Sequence, residues 1–194
     1  MKKMFCIVLA VLLVLVGCTK GNGVGDNQII ISPSSLFEGD AKKLQPHMDM
    51  ITGCVKVKYK GNKESIRVKY EIWENGKIKE VEEGVSSFIE NNEFDGTVSI
   101  SLKEDINDEN MLTMKLFITD DDGHIGIIKS IEGFDKKNSY GPEELQEDKV
   151  INDNQEITVW GLSTYQGAYI TGGGDIVEEI ERADWGLLIK IYLK

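Results

Sequence analysis

The sequences VKVKYK at residues 55–60 and IRVKYEI at residues 66–72 decide the fold class. In both, an apolar or aromatic residue alternates with a charged one, so residues of the same character recur at every second position. This period of two is typical of a β-strand that buries one face and exposes the other. The Gly61-Asn62 pair that follows the first sequence is a turn signal. We therefore expect the two strands to lie side by side as a hairpin.

The same alternation, or a continuous apolar run, recurs along the rest of the chain. Further strands are predicted at residues 77–81, 97–102, 111–118, 124–131, 156–162 and 185–193. The Asn75-Gly76 pair supplies the positive φ angles of a two-residue hairpin, and residues 120–123 carry a second tight hairpin signal. The sequence has no fixed repeat and no alternation of strands with helices. These features predict an all-β fold, an antiparallel β-sandwich of the immunoglobulin-like or C2-like kind.

Two segments carry helical signals within this strand pattern. Pro142, followed by Glu143 and Glu144, favours the first turn of a short helix. Asp175 and Glu178 form a capping-box-like pair before a run of apolar residues at helical spacing. We therefore expect one or two short helical insertions between strands.

The charge and cysteine content exclude some classes of protein. The chain has 194 residues, with 22 basic and 33 acidic side chains. This acidic balance argues against nucleic acid as a partner, because phosphate binding depends on Lys and Arg. The three cysteines are Cys6, Cys18 and Cys54. Cys6 lies in an apolar N-terminal run, and Cys54 is expected to be a small buried side chain or, alternatively, a reactive thiol.

The N-terminus has the pattern of an export signal. Lys2 and Lys3 precede an apolar run at residues 4–16, which ends in the sequence LVGC at residues 15–18. The run is too short to span a bilayer as a helix. Residues 1–18 resemble the bacterial lipoprotein class, and no Ala-x-Ala-like cleavage site for a plain secretory signal lies nearby. The resemblance implies removal of residues 1–17 and acylation of Cys18, for example with palmitate.

This resemblance implies a domain organisation and a location. Residues 1–17 are the signal peptide, residues 18–28 the lipidated cysteine and a glycine-rich flexible tether, and residues 29–194 a single β-sandwich domain. The protein is expected at the outer face of the cell membrane, held by its lipid anchor. The Lys, Ile and Asn content and Thr19 after the cysteine favour a Gram-positive source. Removing residues 1–17 removes two lysines and no acid, which leaves 20 basic and 33 acidic residues and a net charge of −13.

No reaction centre is evident in the remaining residues. Only His47 and His124 could serve as a histidine base, and neither lies in a nucleophile motif. Zinc is not indicated, because the histidines and the cysteine lack ligand spacing. Asp120 and Asp122 are candidate calcium ligands, but Ile118 and Lys129 would occupy the terminal ligand positions of an EF-hand loop. A solvated turn is favoured there, and we expect no cofactor.

Two groups of residues are candidates for binding. Residues 53–79 carry eight basic side chains, and Lys56, Lys58 and Lys69 are expected on one hairpin face, where they would bind an anionic partner or simply discourage sheet pairing. Residues 82–122 carry twelve acids against two lysines.

The second group is aromatic. Tyr165 and Tyr169 lie on a long glycine-rich loop and could stack on a sugar or a protein side chain. Trp73 is expected to be exposed beside the Asn75-Gly76 turn, whereas Trp160 and Trp185 are expected in the core.

The combined features predict a non-enzymatic binding module, with a protein, a glycan or a wall polymer as its ligand. An accessory or solute-binding component of an envelope system is the alternative, although a two-lobed solute-binding protein needs βαβ units that the sequence lacks. A small cell-envelope hydrolase is a third hypothesis. Detectable turnover of a wall or glycan substrate would favour it.

Overall fold

The computed structural model describes residues 25–108, 110–167 and 174–194. Eleven strands occur in these residues: β1 (Gln28–Ser34), β2 (Ile51–Lys60), β3 (Ser65–Glu74), β4 (Lys77–Phe88), β5 (Glu93–Glu104), β6 (Met111–Asp120), β7 (Gly123–Glu132), β8 (Ser139–Glu144), β9 (Lys149–Asn152), β10 (Ile157–Tyr165) and β11 (Trp185–Leu193). A 3-10 helix, Gly39–His47, precedes β2, and one α-helix, α1 (Ile176–Arg182), precedes β11. None of the helices in the described ranges is long and apolar enough to cross a membrane.

The strands form two antiparallel sheets that pack face to face. The first sheet has the order β7-β6-β5-β2-β1-β9, and the second has the order β4-β3-β11-β10-β8. The main hydrophobic core lies between them and is built from the inward residues of both sheets. The predicted all-β antiparallel sandwich is confirmed. The narrower assignment to the immunoglobulin-like or C2-like kind stays a prediction.

The hairpin predicted between residues 55–60 and 66–72 is wrong. β2 belongs to the first sheet and pairs with β1 and β5, whereas β3 belongs to the second sheet and pairs with β4 and β11. Each strand buries its apolar face in the core, so Val57 of β2 and Val68 of β3 belong to facing sheets. The alternating pattern requires only that one face of each strand is buried. This condition is met whether the two strands pair in one sheet or face each other across the core.

The two tight hairpins occur where the turn residues predict them. Asn75 and Gly76 adopt φ angles of 50° and 72°, and they join β3 to β4. Residues 120–123 join β6 to β7, where Asp120 Oδ1 accepts hydrogen bonds from the backbone N–H groups of Asp122 and Gly123 at 2.9 and 3.1 Å. The last strand is paired as expected, because β11 lies between β3 and β10.

One of the two predicted helices is confirmed and the other is wrong. Asp175 caps α1, because its side chain accepts hydrogen bonds from the N–H groups of Val177 and Glu178. Pro142, by contrast, lies in β8, the edge strand of the second sheet. Proline is tolerated on an edge strand, where its missing N–H removes no ladder hydrogen bond on the open side.

The boundary of the predicted tether also shifts. β1 begins at Gln28, and the Asn27 N–H donates to the Lys60 carbonyl at 2.8 Å. Asn27 and Gln28 are therefore held by the first sheet. Residues 18–24 of the tether, with Cys18 itself, lie outside the described residues.

Candidate functional site

The predicted basic face is divided between the two sheets. Lys56 and Lys58 point outward from β2 and are about half exposed. Lys58 Nζ lies 2.8 Å from Asp95, and this hydrogen bond raises the pKa of Lys58. Lys56 Nζ lies 3.6 Å from Glu38. Both lysines are thus partly neutralised by neighbouring acids.

Lys69 lies on the outer face of the second sheet, within a cluster of opposite charges. Its Nζ is 2.6 Å from Glu156 and 3.8 Å from Glu71, while Lys190 Nζ is 2.8 Å from Glu71. Burial alone would lower the pKa of Lys69, but the two carboxylates more than offset this effect and the pKa is raised. The prediction that Lys69 shares one face with Lys56 and Lys58 is wrong, because β2 and β3 are in different sheets.

Trp73 is buried, contrary to the prediction that it is exposed. It is 8% exposed and packs with Ile176, Ile180 and Leu188 in a small second core on the outer face of the second sheet. Its Nε1 donates to Glu71 at 3.1 Å. Trp73 points away from the main core, as its position in the strand predicts. However, α1 covers this outer face of the sheet and removes the side chain from solvent. Trp160 and Trp185 lie in the main core, as predicted.

Tyr165 is not a free loop side chain. It ends β10, is half-buried, and its hydroxyl lies 3.0 Å from the backbone oxygen of Glu179 and 3.2 Å from the carboxylate of Glu179. Burial raises the pKa of Tyr165, and the carboxylate of Glu179 adds to this effect. Tyr165 therefore holds α1 against the second sheet. Tyr169 lies outside the described residues.

Two buried carboxylates lie where α1 meets the second sheet, Glu179 on α1 and Glu143 on β8. Glu143 is 6% exposed and accepts a hydrogen bond from the Ser163 hydroxyl at 2.8 Å. Burial raises the pKa of Glu143, and the nearby charge of Glu179 raises it further, although the Ser163 hydrogen bond opposes both. These contacts account for Glu143 as part of the surface of the second sheet on which α1 packs.

Cys54 is partly exposed rather than buried. It lies on the outer face of β2, and burial raises the pKa of its thiol. The prediction of a small buried side chain is therefore met only in part, because Cys54 is half-buried and its neighbours Gly53 and Val55 are the residues that face the core.

Asp120 and Asp122 belong to the β6–β7 turn. Both lie at the rim of an open groove of about 540 Å³ on one side of the sandwich. The walls are the end of β4 at residues 86–88 and the turn with the start of β7 at residues 120–125. Phe94 and Ile118 of the core line it, and Glu90, Glu93 and Asp95 complete the rim. We call this feature the acidic groove.

The acidic groove combines unpaired negative charge with exposed apolar surface. Six carboxylates line it, of which Glu93 and Asp95 pair with Lys60 and Lys58 at 2.7 and 2.8 Å. Asp120 accepts hydrogen bonds from its own turn. Within the described ranges, the side chains of Glu90, Asp121 and Asp122 make no ion pair or hydrogen bond. Phe88 is 82% exposed on one wall, and Ile125 is 49% exposed on the other.

This arrangement favours a cationic partner with apolar side chains. In the part of the chain that the structure covers, no group of three or more His, Cys, Asp or Glu side chains is arranged to hold a metal ion. The sequence contained part of the signal, namely the twelve acids at residues 82–122. It did not indicate Phe88, Glu90 or Ile125, because strands from two sheets bring these residues together.

A second cleft, of about 420 Å³, lies at the opposite end of the first sheet. Phe134 and Tyr140 line it with Leu102, Lys103 and Lys136. The ring of Phe134 packs on Tyr140 and Trp185 at 5.2 and 5.3 Å, and Lys136 pairs with Glu104 at 2.8 Å. Because its aromatic and charged groups are largely engaged with one another, this cleft is the weaker candidate.

No protein-family model, no curated protein and no solved structure matches this chain.

Proposed function

We propose that the chain is a lipid-anchored, extracytoplasmic binding module that holds a partner protein and catalyses no reaction. The observation that carries the proposal is the acidic groove, with Phe88 exposed on its wall and the free carboxylates of Glu90, Asp121 and Asp122 at its rim. Exposed aromatic side chains are frequent anchors in protein interfaces. Complementary charge steers the partner to the site and sets its orientation.

A protein partner is favoured over an anionic wall polymer or a glycan. The lysines proposed for a polymer are paired with Glu38, Asp95 and Glu156. Tyr165, proposed for sugar stacking, is engaged with Glu179. The groove itself would repel a polyanion, whereas a segment rich in Lys or Arg would neutralise its rim.

The anchor rests on the N-terminal sequence. The LVGC sequence at residues 15–18, the two preceding lysines and the short apolar run support processing before Cys18 and attachment of lipid there. Two acyl chains hold a protein stably at a membrane, whereas one gives marginal binding.

In vivo photo-cross-linking tests the partner. A photoreactive amino acid placed at Phe88 should yield a cross-linked product with a polypeptide, because this side chain projects from the groove wall. The same residue placed at Ile106 is the matched control, since Ile106 is 93% exposed but lies outside the groove. Equal products from both positions, or none from Phe88, would contradict the proposal.

Mass spectrometry of membrane-fraction protein tests the anchor. The expected N-terminus is a diacylated Cys18, and Cys18→Ala should leave an unlipidated precursor. Cys54→Ala is the matched control and should keep the lipid. A free thiol at Cys18, or a chain that still begins at Met1, would disprove lipidation.

A further inference from the structure

The open edge of β7 adjoins the acidic groove. β7 pairs with β6 along its full length, from Gly123 opposite Asp120 to Glu132 opposite Met111. It is the edge strand of the six-stranded sheet, and no strand among the described residues pairs with its other side. The outward N–H and C=O groups of such an edge form a template for another strand.

The half of β7 that is remote from the turn is joined to the second sheet by polar contacts. There Lys129 contacts Glu82 and donates to the Tyr70 hydroxyl at 2.6 Å, and Glu132 pairs with Lys79 at 2.7 Å. The near half, residues 123–128, contains no Lys, Asp, Glu or Pro. Those are the residues that commonly protect edge strands from pairing. Ile128 in this half is 66% exposed.

We propose that an extended segment of a partner protein, with Lys or Arg alternating with apolar residues, adds to residues 123–128 of β7 as a further strand. The inference rests on the proposed function and specifies its binding mode. Backbone hydrogen bonds provide affinity in this mode, and alternate side chains provide specificity. The apolar residues contact Phe88 and Ile125, and the basic ones face Glu90, Asp121 and Asp122. A second copy of the chain is disfavoured, because two acidic rims would repel each other.

A synthetic peptide of alternating lysine and valine, eight residues long, is the probe. It is titrated against the full-length protein in detergent, with fluorescence anisotropy for affinity and hydrogen-exchange mass spectrometry for location. We expect binding with slowed amide exchange at residues 123–128. A peptide with every backbone amide N-methylated should bind about tenfold more weakly or worse, since it cannot donate interstrand hydrogen bonds. A peptide with glutamate in place of lysine should not bind.

Two variants place the binding site. Asp122→Lys should weaken binding of the lysine-valine peptide, and Glu181→Lys, on the exposed part of α1, is the matched control that should leave it unchanged. Equal affinity of the N-methylated peptide, still sensitive to Asp122→Lys, would overturn strand addition while leaving binding at the groove intact. Affinity insensitive to Asp122→Lys, or protection elsewhere, would overturn both. Protection of residues 123–128 by self-association without peptide would overturn the cationic partner.

Discussion

Tyr70 connects the two sheets along the side where β4 and β7 meet. Its ring is buried, and its hydroxyl lies 2.6 Å from Lys129 Nζ and 3.1 Å from Glu82. Lys129 comes from β7 of the first sheet, whereas Tyr70 and Glu82 come from β3 and β4 of the second. Lys129 donates hydrogen bonds to Glu82 and to the Tyr70 hydroxyl, and these bonds raise the pKa of Lys129 and lower the pKa of Glu82. The hydrogen bonds among Tyr70, Glu82 and Lys129 therefore hold the two sheets together on the side where β4 and β7 meet.

The protonation of Tyr70 predicts a loss of stability in alkaline solution. Burial raises the pKa of Tyr70 to about 12, whereas an unfolded tyrosine titrates near ~10. Unfolding releases the proton between these values, so the contribution of Tyr70 is complete below pH ~10 and is lost as pH rises toward about 12. Within this window the free energy of unfolding should fall by up to about 1.4 kcal/mol per pH unit from this residue.

Denaturant unfolding at pH ~9, ~10 and ~11 measures this slope. Tyr70→Phe removes the titrating group and keeps the ring, so its slope should be shallower than that of the original protein. Tyr140→Phe is the matched control, because Tyr140 is 47% exposed and its hydroxyl takes no part in the contact between the two sheets. A slope for Tyr70→Phe identical to that of the original protein would show that Tyr70 does not titrate in this range.

At the scale of elements, turn chemistry was predictable and sheet membership was not. Asn75-Gly76 and residues 120–123 specify their hairpins locally, through residues that accept the required φ angles. The side-chain period identified β2 and β3 but could not show that they occupy different sheets. A proline such as Pro142 is compatible with both the first turn of a helix and an edge strand. The segment becomes a strand because it pairs with β10.

The β3–β4 turn also supports α1. Gly76 has a φ of 72°, and a Cβ added there would lie 2.6 Å from the Glu181 backbone oxygen near the end of the helix. Gly76→Ala should therefore strain the turn and displace the helix. The expected loss in the free energy of unfolding is about 1–2 kcal/mol, from the left-handed conformation alone.

Chemical denaturation compares this variant with Asn75→Gly. Asn75 has a φ of 50° at the neighbouring turn position, and glycine accepts that angle without strain. We expect Asn75→Gly to change stability by a few tenths of a kcal/mol. If both variants unfolded at the same denaturant concentration, the Gly76 conformation would not be a determinant of stability.

At the scale of the whole molecule, packing between distant segments buries Trp73 and forms the acidic groove. Neither feature was predicted from the sequence. Trp73 is buried because α1, which follows it by a hundred residues, covers its face. The acidic groove joins residues 86–95 to residues 118–125 across two sheets. The twelve acids of residues 82–122 were visible in the sequence, but the placement of six of them around a groove, beside Phe88 and an open strand edge, depends on long-range topology.

The same packing predicts that the two sheets unfold together. Gly53 of β2 faces Trp160 of β10, and a Cβ added at Gly53 would lie 2.2 Å from the indole Nε1. Gly53→Ala must therefore push the sheets apart, and overpacking of this kind costs about 1–3 kcal/mol. All three tryptophans, Trp73, Trp160 and Trp185, lie in the second sheet. Their fluorescence thus reports on the sheet that does not contain the substitution.

Urea unfolding followed by both fluorescence and circular dichroism provides the measurement. For Gly53→Ala, both signals should shift to the same lower midpoint, because the core between the sheets is shared. Ser99→Ala on the outer face of β5 is the control and should stay within about 0.5 kcal/mol of the original protein. A shift in circular dichroism with unchanged fluorescence would mean that the second sheet is stable without the first. The acidic groove, whose walls come from both sheets, would then open before the second sheet melts.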